Sequence, residues 1–361
     1  MKLAVIAPVA WRTPPRHYGP WETIASLLTE GLVARGLDVT LFATLDSVTA
    51  ATLDGVCAGG YAENPEMDGR IWEALHVSHA LSRSAEFDLI HNHLDWLPLA
   101  FDAHVKAPMV TTIHGFSGRG ILPAYAQSRS AFVAISDSDR SAELDYVATI
   151  HHGVDLDALP FSPTPQDALV AFGRIHPDKG TADAIAIARQ AGRQLVICGI
   201  VQDEQYFAER VEPYIDGDRV IFRGSVGPLE RAAVLGSAAA LLHPIYFDEP
   251  FGLSVVEAMA CGTPVVAYGR GSMAEVVDVG VTGYLAHDVA SAVEAVDAAV
   301  ALDRSAVHAR ACARFGVDRM VDDYVRVYEK ILGIPHQPRV IAPNRASSGV
   351  HATPILESPI P

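Results

Sequence analysis

Cysteine is scarce. The 361 residues hold four, Cys57, Cys198, Cys261 and Cys312, and no two share a C-x-x-C spacing. That excludes a zinc ribbon or a disulfide framework and fits free thiols in a reducing, cytoplasmic compartment. A basic surplus is also missing. Net charge is −16, with 10 basic against 19 acidic side chains in residues 1–165 and 17 against 24 in residues 166–361. Neither half offers the cationic field that nucleic acid requires, so no nucleic-acid partner is expected. Long apolar runs are lacking too. The longest, residues 232–247, is broken by Gly236, Ser237, His243 and Pro244. A bilayer-spanning helix needs about 20 apolar residues, so no transmembrane segment is expected. The short run at residues 3–10 leads into Trp11-Arg12-Thr13-Pro14-Pro15. It reads as a buried first strand, not a signal peptide. Neither a P-loop nor a G-x-S-x-G nucleophile elbow occurs.

What is present is apolar bulk in short pieces. Half of the chain is hydrophobic, enough for two cores, since single cores stop growing near about 250–300 residues. Strand-length runs fall at residues 3–7, 39–43, 89–91, 109–114 and 131–135, and again at 168–172, 194–198, 220–222, 240–243 and 264–267. Helical patterns lie between them at 22–35, 181–191, 228–237 and 254–260. Continuously apolar strands alternating with helices predict parallel sheets covered on both faces. The series occurs twice. The expected fold is therefore α/β, with two Rossmann-like, doubly wound parallel-sheet domains. The first spans residues 1–156 and the second 168–315, joined by a linker at 157–167 whose Pro160, Pro163 and Pro165 cannot continue a sheet. An amphipathic helix is expected within 316–333. Six prolines between Pro335 and Pro361 predict a disordered tail over 334–361.

Four segments carry candidate chemistry. Glu249-Pro-Phe-Gly-Leu-Ser-Val-Val-Glu257 follows a predicted strand and enters a helix that Gly262 and Pro264 end. Glu249 thus sits beyond a strand's carboxyl end, where open α/β sheets bind ligands. The helix start near Leu253 offers unpaired N–H groups to an anion or hydroxyls, and Glu257 can accept from a vicinal diol. Both carboxylates are equally read as helix-dipole compensation. Gly173-Arg-Ile-His-Pro-Asp-Lys-Gly180 follows another predicted strand. Arg174 is a planar fork and Lys179 a point charge, a pairing suited to a diphosphate, or to a solvated turn. A phosphate-binding loop is not a core element, so replacing either cation is expected to leave stability unchanged. Gly19, ahead of the first helix, can present its N–H to phosphate or simply turn the chain. His114, at a strand end, can face the cleft or satisfy the interior.

Together these segments resemble family 4 of the retaining glycosyltransferases. Glu249 to Glu257 matches its E-x7-E motif and Gly173 to Gly180 its G-R-x4-K-G loop. Gly19, His114, Ile135-Ser136-Asp137 and His152-Gly153-Val154-Asp155 follow in the expected order, over roughly residues 1–333. The resemblance implies a GT-B architecture with the two domains facing a cleft and the last helix crossing back to the first domain. It implies a nucleotide-sugar donor, UDP favoured and GDP next, with no cofactor and no metal. Arg174 and Lys179 would hold the diphosphate, Glu257 the ribose, and Glu249 with Phe251, Gly252 and Leu253 the sugar. His114 would lie by the reacting centre, Gly19 by the phosphates and Val226 by the base. Pro20 stands where many members have a second glycine, which removes one N–H from that loop. The acceptor is unspecified: a small molecule, a glycan or a lipid-linked glycan. A GT-B nucleotide-sugar 2-epimerase and a non-catalytic sugar-nucleotide binder are the alternatives. Gly269-Arg-Gly-Ser-Met-Ala274 fits G-x-G-x-x-A, but too late in its domain for a dinucleotide fingerprint. Asp137-Ser138-Asp139 and Asp155-Leu156-Asp157 are D-x-D matches of the length that chance supplies.

Overall fold

The computed structural model describes residues 1–115 and 118–335; the expected tail falls largely on 336–361, outside the described residues. Seven strands, β1 (Lys2–Ile6), β2 (Asp38–Phe42), β3 (Thr52–Asp54), β4 (Leu89–Asn92), β5 (Met109–Ile113), β6 (Ala131–Ala134) and β7 (Tyr146–Thr149), form one sheet. Six more, β8 (Leu169–Phe172), β9 (Leu195–Cys198), β10 (Val220–Gly224), β11 (Ala240–His243), β12 (Val265–Tyr268) and β13 (Gly283–Ala286), form a second. Their orders are β3-β2-β1-β4-β5-β6-β7 and β10-β9-β8-β11-β12-β13. Every pairing is parallel.

The apolar runs have a simple cause. Leu3, Ala4, Val5 and Ile6 are all buried, because helices cover both faces of the sheet and leave no polar side for alternation. Each sheet reverses its strand order once, between β1 and β4 and between β8 and β11. Ligands of such sheets bind outside the strand ends at that reversal. The segments singled out above follow β1, β8 and β11, and His114 follows β5.

Periodicity passes over β3, β7 and β13. The first two are half-exposed edge strands of three and four residues, without a continuous apolar run. It also passes over the helices Gly69–Ser82, Val289–Val300 and Arg304–Phe315. Val289–Val300 is mostly Ala and Val, interrupted by Ser291, Glu294 and Asp297, and buries Ala292, Val296 and Ala299.

The helix Val317–Leu332 packs on the first helix, Pro20–Ala34, and completes the core of the first sheet. Met320, Val321, Tyr324 and Tyr328 are buried there with Leu3, Val5, Ile24 and Leu28. Arg35 Nε donates to Asp322 Oδ1 at 2.7 Å and its Nη2 to Asp318 Oδ1 at 3.1 Å. The two helices approach so closely at Gly31 that a Cβ there would overlap Val321 Cγ2. Gly31→Ala is therefore expected to cost about 1–3 kcal/mol by overpacking. In an open helix the same change would gain roughly 1 kcal/mol. Chemical denaturation measures the sign, and adding Val321→Ala is expected to restore most of the loss. A stabilised single variant would show that the helices part without strain.

Candidate active site

The loop after β8 begins at Gly173 and closes with a short 3-10 turn, Pro177–Lys179. Gly180 ends the turn at φ 65°, and a Cβ there would run into the Pro244 carbonyl. Only glycine lets the loop lie against the loop after β11. That approach brings Lys179 Nζ to 2.8 Å from Glu249 Oε2, above the Phe247 ring at 4.3 Å from its centroid. Arg174 donates to Gln202 Oε1 and reaches Asp178 Oδ2 at 3.3 Å. Its side chain stays 22% exposed.

Glu249 is an ionised group in a closed place. Burial raises its pKa, but the nearby His243 ring and the Lys179 ammonium outweigh that and hold it at about 2. His243 Nε2 stands 3.4 Å from Oε2. The segment Gly269 to Ala274 braces Glu249 from behind, with Ser272 N donating to the Glu249 carbonyl at 2.8 Å. Gly252 (φ 87°) then starts the helix Leu253–Ala260, which no side chain caps. One turn in, Glu257 Oε1 accepts from Arg231 Nη1 at 3.0 Å.

Across the cleft stands the loop after β1. Gly19 (φ 151°) precedes the first helix, whose start also lacks a side-chain cap and carries Pro20 at its first position. Glu22, just inside, has its pKa pushed up to about 7 by burial, although Trp11 N donates to it at 3.2 Å. Tyr18 is likewise raised by burial, opposed by the charge of Arg174.

His114 lies between two other imidazoles. Its Nε2 is 2.9 Å from His93 Nδ1 and its Nδ1 is 3.2 Å from His152 Nε2. Trp21 stacks on its face, with centroids 5.3 Å apart. Burial drives the pKa of all three histidines down, to about 3 for His93 and His152 and well below 6.5 for His114. These are neutral rings, and one proton per ring fixes the direction of both contacts together. Because both His114 nitrogens are engaged, the ring offers the cleft its edge and face. His91, beside His93, bonds to Tyr328 and Thr112 and belongs to the interior.

Glu249, His114, Arg174, Lys179, Gly19, Glu257, Phe251, Gly252, Leu253 and Val226 all line one cavity of about 290 Å³ between the sheets. Arg231, Tyr18, Trp21 and His152 line it too. Sequence reasoning gave Arg231 no role, because one arginine in a helix looks like any surface cation. Arg223, three residues before Val226, pairs with Glu230 at 3.5 Å and does not line the cavity. Asp137 and Asp139 lie outside its lining, as do Asp155 and Asp157. No group of three or more potential metal ligands occurs among the described residues.

Two doubly wound parallel sheets with their strand reversals meeting at one cleft, and with cations facing carboxylates inside it, define a glycosyltransferase of GT-B architecture. Residues 22–158 match the family model described as Glycosyltransferase Family 4, and residues 160–314 the one described as Glycosyl transferases group 1. The chain belongs to family 4 of the glycosyltransferases and is a nucleotide-sugar glycosyltransferase.

A glycogen synthase of Mycobacterium tuberculosis is 28% identical over 378 residues, covering 88% of this chain and 90% of the relative. A phosphatidyl-myo-inositol mannosyltransferase of Mycobacterium leprae is 27% identical, covering 92% and 97%. Among solved structures, AviGT4, a glycosyltransferase involved in avilamycin A biosynthesis, superposes with a TM-score of 0.72 at 26% identity, over 92% of this chain and 98% of that one. The sucrose-phosphate synthase of Thermosynechococcus elongatus shares the fold, with a TM-score of 0.75 at 21% identity over 92% and 99%.

Proposed function

We propose that the protein transfers a hexosyl group from a nucleoside-diphosphate sugar to an acceptor hydroxyl, with retention of configuration and without a metal ion. UDP is the favoured carrier and GDP the next. The supporting observation is the convergence of Arg174, Lys179, Glu249, Glu257 and Gly19 on one cavity at the strand reversals. The diphosphate leaves as negative charge grows on its bridging oxygen. Arg174, Lys179 and the uncapped helix start after Gly252 would stabilise that charge, and preorganised electrostatic stabilisation of this kind usually lowers such barriers most. Two cations and a helix start make a divalent ion unnecessary. Glu257 would hold the ribose, Val226 the base, and Glu249 with the backbone of Phe251 to Leu253 the sugar hydroxyls. Glu249 is anchored by Lys179, which suits a hydroxyl acceptor better than a travelling nucleophile. Both His114 nitrogens are held by neighbouring rings. We therefore assign the acceptor's proton to the leaving phosphate, with attack from the leaving-group face. The acceptor is a small molecule, a glycan or a lipid-linked glycan, and the setting cytoplasmic, without a cofactor. No helix among the described residues is long and apolar enough to cross a membrane.

The test needs no acceptor. Slow hydrolysis of α-linked UDP-glucose, GDP-mannose or ADP-glucose is followed by proton NMR before the sugar mutarotates. The α anomer is expected first, at a rate that EDTA leaves unchanged. A β anomer would contradict retention. Complete loss in EDTA, restored by magnesium or manganese, would return the Asp137-Ser138-Asp139 segment to consideration.

A further inference from the structure

We infer that Arg231 is a positioning residue, which aligns Glu257 with the donor ribose and latches the loop after β1 over the nucleotide. The inference rests on the donor site proposed above. Arg231 comes from the helix Pro228–Ser237, outside both motifs. Its guanidinium lies over the Phe172 ring, 5.2 Å from the centroid. Nη1 donates to Glu257 Oε1 at 3.0 Å, and Nη2 donates at 3.1 Å to the carbonyl of His17, two residues before Gly19. One planar fork therefore touches both walls of the cleft. The side chains of Arg231 and Glu257 are mostly buried, 24% and 13% exposed. Arg231 Nε is buried and has no protein partner in the structure.

Three physical consequences follow from this geometry. A carboxylate meant for a diol must stand in one rotamer before the diol arrives, and the contact to Oε1 fixes it while leaving Oε2 for the hydroxyls. An unpaired Glu257 would also repel a diphosphate one ribose away, and Arg231 cancels that charge. Finally, the His17 carbonyl belongs to the loop that carries Tyr18 and Gly19. Closing that loop and aligning Glu257 therefore share one side chain, so nucleotide binding and cleft closure become thermodynamically coupled. An ordinary ion pair within the second domain would hold the fold without coupling anything.

Calorimetry with UDP, and with GDP and ADP in parallel, separates the two. Arg231→Met keeps the stem and removes the fork. It is expected to weaken the preferred nucleotide by about 10- to 100-fold, the loss typical of a charge-assisted bond, while the ligand-free melting temperature stays near wild type. Because part of the effect of Arg231 runs through Glu257, the Arg231→Met, Glu257→Gln double variant is expected to lose less than the sum of the two single losses. Arg231→Lys can serve Glu257 or the His17 carbonyl but not both. It is expected to recover affinity and to lose the nucleotide-induced compaction that small-angle scattering is expected to record for the wild type. Wild-type affinity in Arg231→Met, or losses that add to those of Glu257→Gln, would reduce the contact to a structural ion pair. If Arg231→Met does not fold, Arg231→Lys decides: full affinity with full compaction overturns the inference. Arg174→Ala serves as the control for the site itself. If it too keeps full nucleotide affinity, the donor-site assignment fails; if it loses affinity while Arg231→Met does not, only the role of Arg231 fails.

Discussion

Lys179→Ala is expected to melt well below the wild type, while Arg174→Ala melts beside it, although both lose activity. The two cations share a loop but not a situation. Lys179 is the charge partner of Glu249, whose side chain is 12% exposed and whose pKa of about 2 keeps it ionised. Removing one member of a buried pair typically costs about 3–5 kcal/mol, because the other charge is stranded. Here the lower end applies, since the pair borders the cavity and His243 remains near Glu249. Arg174 meets Gln202 and Asp178 at a more open position, and its loss strands no buried carboxylate. Its cost falls on the donor: one charge-assisted bond is worth about 1.5–3 kcal/mol, or roughly 10- to 150-fold in kcat/KM. Part of that appears in kcat, because the leaving charge grows toward the transition state. Thermal melts of Lys179→Ala with and without Glu249→Gln make the test. The second change is expected to return most of the stability and none of the activity. Equal melting of Lys179→Ala and wild type would mean that Glu249 takes up a proton at little cost. The expectation drawn from motifs alone, that either cation can go without cost to the fold, then holds for Arg174 and not for Lys179.

Acid is expected to unfold the protein cooperatively near pH 5. Five buried histidines have pKa values lowered by burial: His76 to about 4, His93 and His152 to about 3, and His91 and His114 well below the ordinary 6.5. Above pH 6.5 both the folded and the unfolded chain hold these rings neutral, and folding loses nothing. Below it the unfolded chain takes up protons that the native rings refuse, so stability falls with pH. Between pH 7 and pH 5 His76, His93 and His152 each cost roughly 2 kcal/mol, and His91 and His114 act in the same direction. Glu22 works the other way. Its native pKa of about 7 lies above the ordinary carboxyl value, so it takes up its proton in the folded state first and returns about 2 kcal/mol over the same interval. The three rings less Glu22 leave a net loss of about 4 kcal/mol, a large part of the stability of an ordinary domain. Melting temperatures recorded from pH 7.5 to 4.5 measure it. A flat profile down to pH 4.5 would show that the histidine row accepts protons while folded.

The sequence made some parts legible and hid others for physical reasons. Strands β1, β8 and β11 announce themselves because a strand covered on both faces must be apolar at every position. The residues after them are legible because glycine at positive φ and paired cations are rare in combination. Arg231, which no motif includes, and His152, whose place in a motif assigns it no partner, are different. Their meaning lies in contacts 26 or more residues away in sequence, to Glu257 and His114. Nothing local marks such a partner. The engagement of both His114 nitrogens is of the same kind: a strand-end histidine predicts a place, and the rings that meet there decide what it can do.

The helix Val317–Leu332 carries a consequence for synthesis. Tyr324 and Tyr328 fill the core of a sheet whose first strand is Lys2–Ile6. A ribosome releases the chain from its amino end, so β1 to β7 emerge long before the residues that seal them. Until Tyr328 clears the exit tunnel, the face around Leu28 and Val110 has no cover, and His91 lacks the phenol that bonds its Nδ1. The second sheet can close on itself in the meantime, since Leu169, Ile197, Leu242 and Val296 draw its core from one continuous stretch. The domain translated first is thus the one finished last, and in the growing chain it stands exposed to chaperones and to proteases for the whole of that interval.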